Sequence, residues 1–189
     1  LRTLDCKAVP TLKKLILSGE AAAQDTLITW MDHVELSNGF GPAEACIYCT
    51  VYDYVSKTES PTSIGRGSNT ATWVVDPDDM SLTPIGCIGE LVVHGPGIAR
   101  GYINNEALTK RSFLDKLDCL PEAEQSAGHR FYRTGDLVRY FPDGQLEYLG
   151  RRDGQLKIRG QRLEPGEIEY TIKALEPTIE QASVNVIAF

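Results

Sequence analysis

Three short stretches hold residues whose types and spacing suit chemistry on a nucleotide. In "SNGFGPAE" (37–44), Gly39 and Gly41 let backbone approach a flat ligand closely, and Phe40 between them offers a ring face for stacking on a purine. Glu44 ends the stretch with hard carboxylate oxygens of the kind Mg2+ takes, and the metal would in turn hold phosphate oxygens. In "FYRTGDL" (131–137), Asp136 follows a glycine at the mouth of a strand, where a carboxylate can accept from both hydroxyls of a ribose. In "GRRDGQLKIRGQR" (150–162), the cations Arg151, Arg152, Lys157, Arg159 and Arg162 crowd together in a chain whose net charge is −7. Such a density suits phosphate oxygens. Each stretch alone has a plainer reading: a turn with a solvated Glu, an Asp–Arg surface pair of little energetic consequence, a solvated basic strand.

The elements that must position these residues can be read from pattern. "LKKLIL" (12–17) is a short buried strand closed by Ser18-Gly19, and "EAAAQDTLITWM" (20–31) has helical composition. "HVEL" (33–36) is a second short strand that ends in the loop "SNGFGPAE", and "ACIYCTVYDYV" (45–55) reads as helix then strand. From about residue 60 the character turns β-rich. "TATWVVD" (70–76) and "GELVVHG" (89–95) read as paired strands, and "DLVRYF" and "QLEYLG" flank the tight-turn signal Pro142-Asp143-Gly144. "NNEALTKRSFLD" (104–115) reads as a short helix capped by Asn104 or Asn105. After Gly150 a strand "QLKIRG", a helix "EPGEIEYTIKAL" with Pro165 early, and a strand "ASVNVIAF" (182–189) are expected.

Composition narrows the classes. The 189 residues are 42% hydrophobic and 24% charged, which is ordinary for a globular protein. No apolar run approaches the ~20 residues that span a bilayer, and the opening "LRTLDCKAVP" has no signal-peptide character, so no membrane role is expected. The negative net charge argues against a nucleic-acid partner. Cys6, Cys46, Cys49, Cys87 and Cys119 are odd in number and widely spaced, which suits free thiols in a reducing compartment; Cys46-Ile-Tyr-Cys49 lacks the second pair that a zinc site wants.

"SNGFGPAE", "GELVVHGPGIARGY" (89–102), "FYRTGDL" and "GRRDGQLKIRGQRLEPGEIE" (150–169) occur in that order, and together they closely resemble the adenylation domains of nonribosomal peptide synthetases, members of the ATP-dependent adenylate-forming superfamily. The resemblance covers nearly the whole chain. It implies a mixed α/β fold in three parts: residues 1–60 complete an α/β layer, 61–152 form a β-rich subdomain, and 153–189 start a small mobile α/β lid. It also implies that the family's phosphate loop lies before residue 1 and its catalytic lysine beyond Phe189, so that the chain alone forms no adenylate.

The resemblance assigns roles residue by residue. Gly19, Glu20, Ala21, Asn38, Gly39, Phe40, Gly41, Ala43, Asp136, Arg151 and Arg162 would meet ATP, with Phe40 on adenine, Asp136 and Arg151 near the ribose, and Arg162 at the phosphates. Glu44 would hold Mg2+. Ala43 stands where the family usually has a hydroxyl residue, which removes one charge-assisted hydrogen bond worth about 1.5–3 kcal/mol. Ile16, Ser18, Gly39, Ile47 and Tyr48 would wall the amino-acid pocket, though core is the commoner fate of residues like Ile16 and Ile47. Asp153 matches the hinge, with Gly154 beside it and Lys157 on its face; Arg159 and Gly160 would border the tunnel for a phosphopantetheine thiol. The implied partners are an amino acid and the carrier and condensation domains of the same cytoplasmic polypeptide, working in secondary-metabolite biosynthesis. Two other readings stand beside this one: an acyl-CoA or aryl-acid ligase of the same superfamily, and a catalytically dead binding module.

Overall fold

The computed structural model describes residues 4–125, 128–152, 156–158, 161–163, 165–176 and 178–184. The fold is mixed α/β. It opens with strand β1 (Lys14–Leu17), helix α1 (Gln24–Trp30) and strand β2 (Glu35–Phe40), and β1 and β2 pair in parallel with Leu17 opposite Asn38. Leu27 and Trp30, three apart on one face of α1, are buried against Leu17, Leu36 and Tyr54, so the crossover helix seals this layer.

Strand β3 (Thr50–Asp53) returns antiparallel along β2, and β4 (Ser63–Gly67) follows along β3. The sheet then runs on through β9 (Leu146–Arg151), β8 (Phe131–Tyr140), β6 (Gly89–His94) and β5 (Ala71–Val75), with the short β7 (Phe113–Leu114) added beside β8. One hydrogen-bonded path thus joins the parallel pair to the antiparallel region. Every residue of β6 is buried; Leu91 and Val93 pack with Phe113, Tyr132 and Leu146, while Val92 packs with Val75, Leu117 and Phe131. That period of two with both faces covered is what a central strand shows.

Helix α2 (Glu106–Ser112) is capped by Asn105, whose side chain accepts from the Leu108 N–H at 3.0 Å. Helix α3 (Glu122–Gln125) is a single turn, β10 (Leu156–Ile158) and β11 (Gln161–Leu163) form a hairpin, and α4 (Pro165–Leu175) has Pro165 as its first residue. None of the described helices is long and apolar enough to cross a membrane.

Three sequence expectations change. The loop expected at 37–44 starts late, because β2 runs on to Phe40, held between β1 and β3. Its polar residues are buried with partners: Asn38 Nδ2 donates to Ser63 O at 2.9 Å, and the Ser37 hydroxyl donates to Asp53. The helix expected at the start of 45–55 is only a 3-10 turn over Ala43–Ala45. Of the strand expected at 182–189, residues 182–184 have no strand pairing, and 185–189 lie outside the described residues.

Candidate functional site

A cavity of about 190 Å³ opens at the ends of β1 and β2. Gly19–Ala21, just past β1, and Asn38–Gly41, ending β2, line it. This is the carboxyl end of a parallel strand pair, the place where open α/β sheets accept ligands. Phe40 sits in the wall with its ring tilted against Tyr148 of β9, centroids 5.8 Å apart. Pro61, Thr62 and Ile64 of the neighbouring segment and Tyr148 complete the wall, and no sequence motif marks Thr62, Ile64 or Tyr148. Tyr148 lies in "QLEYLG", read only as a strand, so nothing in the letters marked it.

The chain after Phe40 folds back tightly. Cys49 N donates to Phe40 O at 2.9 Å, and Cys49 Sγ reaches the same oxygen at 3.4 Å. A Cβ on Gly41 would come within 2.4 Å of Ile47 O, so only glycine lets the loop close here. Within the loop Ile47 takes φ +71°, the left-handed region, which costs a β-branched residue about 1–3 kcal/mol and clusters at ligand sites.

Glu44 is half-buried in the 3-10 turn that follows Pro42, anchored by buried Ala45. Tyr102 Oη donates to Glu44 Oε1 at 2.7 Å and lies 3.3 Å from Tyr132 Oη on β8. The Tyr102 ring packs edge-on against Phe113, which fixes the hydroxyl's aim. Tyr102 ends the motif "GPGIARGY", and its letters alone do not tie it to Glu44. Ala43, beside Glu44, is exposed.

Asp136 and Arg151 face each other across β8 and β9 in direct register. Arg151 Nη1 donates to Asp136 Oδ1 at 3.3 Å and to Thr134 O at 2.9 Å. The side chains are 2% and 7% exposed, so this is a buried pair and not the surface pair that the residue types alone allow. Burial pushes the Cys49 thiol up to about 12, and the nearby Asp136 carboxylate adds to the rise.

The remaining candidates are placed as follows. Ala43, Asp136 and Arg151 do not line the Phe40 cavity. Of the five pocket-wall candidates only Gly39 does; Ile16 and Ile47 are exposed and are not core. A Cβ on Gly39 would meet the Tyr48 ring at 2.7 Å, so Tyr48 covers that glycine. Lys157 and Arg162 are opposite each other in the β10–β11 hairpin. Asp153, Gly154, Arg159 and Gly160 lie outside the described residues. Among the described residues, no three His, Cys, Asp or Glu side chains gather as a metal cluster. Magnesium does not need one, since it commonly takes one or two carboxylates and completes its octahedron with water and substrate phosphate, and Glu44 fits that use.

The chain is similar to known proteins over most of its length. The family model described as "AMP-binding enzyme" matches residues 3–103. The nonribosomal peptide synthetase atnA of Emericella nidulans is 46% identical over 180 residues, which is 95% of this chain and 2% of the synthetase. The nonribosomal peptide synthetase vlms of Lecanicillium sp. is 45% identical over 185 residues, 97% of this chain and again 2% of the synthetase. The chain thus spans about one-fiftieth of the length of these relatives. Among solved structures, PA1221, an NRPS protein containing adenylation and PCP domains, superposes with a TM-score of 0.77 at 30% identity, covering 90% of this chain and 30% of that one. The Vibrio cholerae adenylation domain AlmE, in complex with glycyl-adenosine-5'-phosphate, superposes with a TM-score of 0.75 at 28% identity, covering 93% of this chain and 33% of that one.

Proposed function

The chain belongs to the AMP-binding enzyme family, and from that premise we propose that it is part of an ATP-dependent amino-acid-activating domain of a cytoplasmic nonribosomal peptide synthetase. The observation that carries the reading is one cavity lined by both strand tips, with an aromatic ring in its wall. Phe40 stacks on adenine there, while Gly39 and Gly41 allow the close approach. Asp136 accepts from the ribose hydroxyls, and Arg151 pairs with that carboxylate and orients it. Glu44, held by Tyr102, takes Mg2+, which when bound neutralises phosphate charge.

In the first half-reaction the substrate carboxylate oxygen attacks the α-phosphorus of ATP, the bond to the bridging oxygen breaks, and pyrophosphate leaves with an aminoacyl-AMP formed. In the second, a carrier's phosphopantetheine thiol attacks the acyl carbon, loses its proton, and AMP leaves. The solved relative AlmE, seen with glycyl-adenosine-5'-phosphate, supports an amino acid as the acyl donor. Ile16, Ser18, Gly39, Ile47 and Tyr48 are the proposed pocket wall, Asp153 the proposed hinge, Arg159 and Gly160 the proposed edge of the thiol tunnel, and Arg162 a phosphate contact. Residues 1–60, 61–152 and 153–189 are the proposed working parts, the last one mobile. Carrier and condensation domains of the same polypeptide are the proposed partners.

The test is ATP–pyrophosphate exchange by the full polypeptide against a panel of amino acids and fatty acids. Exchange with one or a few amino acids is expected, and it drops by about 10-fold or more in Phe40→Ala, which removes a base–aromatic stack. Exchange with fatty acids alone would overturn the reading.

A further inference from the structure

Strand β8 does not run smoothly past β6. Val92 pairs with Arg133 and Glu90 with Leu137, so Thr134, Gly135 and Asp136 stand opposite Leu91 alone. This is a bulge, and a bulge re-aims side chains and frees backbone groups from the ladder. Gly135 takes φ +72° within it. Its N–H donates to Glu90 Oε1 at 3.3 Å, and its carbonyl accepts the Arg152 N–H at 2.9 Å. The Asp136 N–H donates to Thr134 Oγ1 at 3.0 Å, and that hydroxyl donates to Leu91 O at 2.9 Å. The bulge thus draws its support from side chains.

Glu90 is the centre of that support. It is 3% exposed, a buried carboxylate directly before the apolar run Leu91, Val92 and Val93. Arg133 grips it with Nε at 3.2 Å and Nη2 at 2.5 Å. Arg152 Nη1 lies 3.9 Å from it and donates to Pro77 O at 2.8 Å, while Arg152 Nη2 bonds Asp78 at 2.7 Å. Arg133 Nη2 also reaches Pro77 O at 3.2 Å. Glu90 therefore ties together the residue before Asp136, the residue after Arg151, and the turn beyond β5.

We propose that Glu90, with Arg133 and Arg152, is the positioning device for ribose recognition: it holds the β8 bulge so that the Asp136 carboxylate faces the nucleotide. Glu90 touches no substrate; it acts through Gly135 and Asp136. The inference rests on the reading of Asp136 as the ribose ligand given above. It predicts that Glu90 sets discrimination between ribose and deoxyribose without contacting either. A purely structural glutamate would weaken all nucleotides alike.

The experiment measures Kd for ATP, 2′-deoxy-ATP and 3′-deoxy-ATP by calorimetry on the full polypeptide. Wild type should prefer ATP over at least one deoxy analogue by about 10-fold or more, the value of one charge-assisted hydrogen bond. Asp136→Asn, the control for the nucleotide reading, should reduce that preference to about 3-fold or less, since a neutral amide keeps only an ordinary hydrogen bond. Glu90→Gln should reduce it similarly while leaving the amino-acid KM within about 2-fold, because the site for the other substrate keeps its geometry. Arg152→Met keeps the buried Glu90–Arg133 pair and should reduce the preference by about 2- to 5-fold, as loss of a half-exposed pair allows; it carries the test if Glu90→Gln fails to fold. If Asp136→Asn leaves the preference intact, the ribose reading fails and the inference with it. If Asp136→Asn abolishes the preference but the folded Glu90→Gln and Arg152→Met keep it, the inference alone is overturned.

Discussion

Replacing Gly135 with alanine should damage this chain more than the same change at a comparable turn glycine, and the excess isolates the packing around Arg151. Gly135 has φ +72°, where an L-residue with a Cβ costs about 1–2 kcal/mol. The added Cβ would also lie 2.8 Å from Arg151 Nη2 and 3.4 Å from its Cζ. The guanidinium is held by Thr134 O and Asp136 and is 7% exposed, so it has no solvent to retreat into. Displacing it forfeits at least one charged hydrogen bond, about 1.5–3 kcal/mol. The sum is about 2.5–5 kcal/mol, or a fall in melting temperature of about 5–20 °C for a chain of this size. Gly144, at φ +81° in the β8–β9 turn, is the control: its nearest neighbour to a new Cβ is Arg66 Nε at 3.8 Å, an ordinary contact. Gly144→Ala should therefore cost only the backbone part, about 2–8 °C. Scanning calorimetry of the two variants beside the parent chain decides. Melting temperatures for the two variants within about 2 °C of each other would refute the claim that Arg151 is pinned under Gly135.

Two further outcomes follow from burial. The thiolate is the reactive form of cysteine, and Cys49 is buried with its thiol pushed up to about 12, so at pH 8 a maleimide followed by mass spectrometry should label the exposed Cys46 and Cys87 well before Cys49; early labelling of Cys49 would contradict the placement. His94 is stacked on Phe131 at 4.2 Å, its Nε2 has no hydrogen-bond partner among the described residues, and burial holds its pKa below the ordinary 6.5. The unfolded chain takes a proton at His94 more readily than the folded chain, so this contribution to stability is present above pH 6.5 and is lost as pH falls below it. Urea titrations across that range should show a shallower acid loss in His94→Phe, and an unchanged slope would assign the acid sensitivity to other groups.

Much of the fold was legible because local chemistry and tertiary context agree. Asn105 caps α2 through a side-chain bond that its type predicts, and Pro142-Asp143-Gly144 turns β8 into β9 with Gly144 at positive φ. The run after "HVEL" was less legible, because Ser37, Asn38 and Gly39 have loop-like identities and become strand only through pairing, Ser37 and Asn38 with both β1 and β3 and Gly39 with β3. Phe40 and its flanking glycines could be picked from one stretch because they are consecutive. Tyr148, Thr62 and Tyr102 could not, since each reaches the site from a distant strand or loop whose local pattern speaks only of packing. Glu90 was hidden for a sharper reason: its letters "GELVVHG" read only as one of two paired strands, and the Gly135 N–H that it accepts from is free only because β8 bulges opposite it.

The charge concentration around that bulge has to be explained by orientation and not by stability. Arg133, Arg151 and Arg152 meet Glu90 and Asp136 around a single glycine, with both carboxylates at most 3% exposed. Breaking such a buried pair by removing one partner costs about 3–5 kcal/mol, yet replacing both partners by apolar residues of like volume is often neutral or stabilising by about 1–4 kcal/mol. A sheet selected only to fold would put Val or Leu here, as β6 does at every other inward position from Leu91 to Val93. What an apolar core cannot supply is a carboxylate held at a fixed angle at the end of a strand. Arg151 meets that need for Asp136 on one side of the bulge, and Glu90 holds the backbone that carries it on the other. The opening of the basic stretch at 150–162 thus divides by direction: Arg151 turns inward to the site, and Arg152 turns outward to Pro77, Asp78 and Glu90.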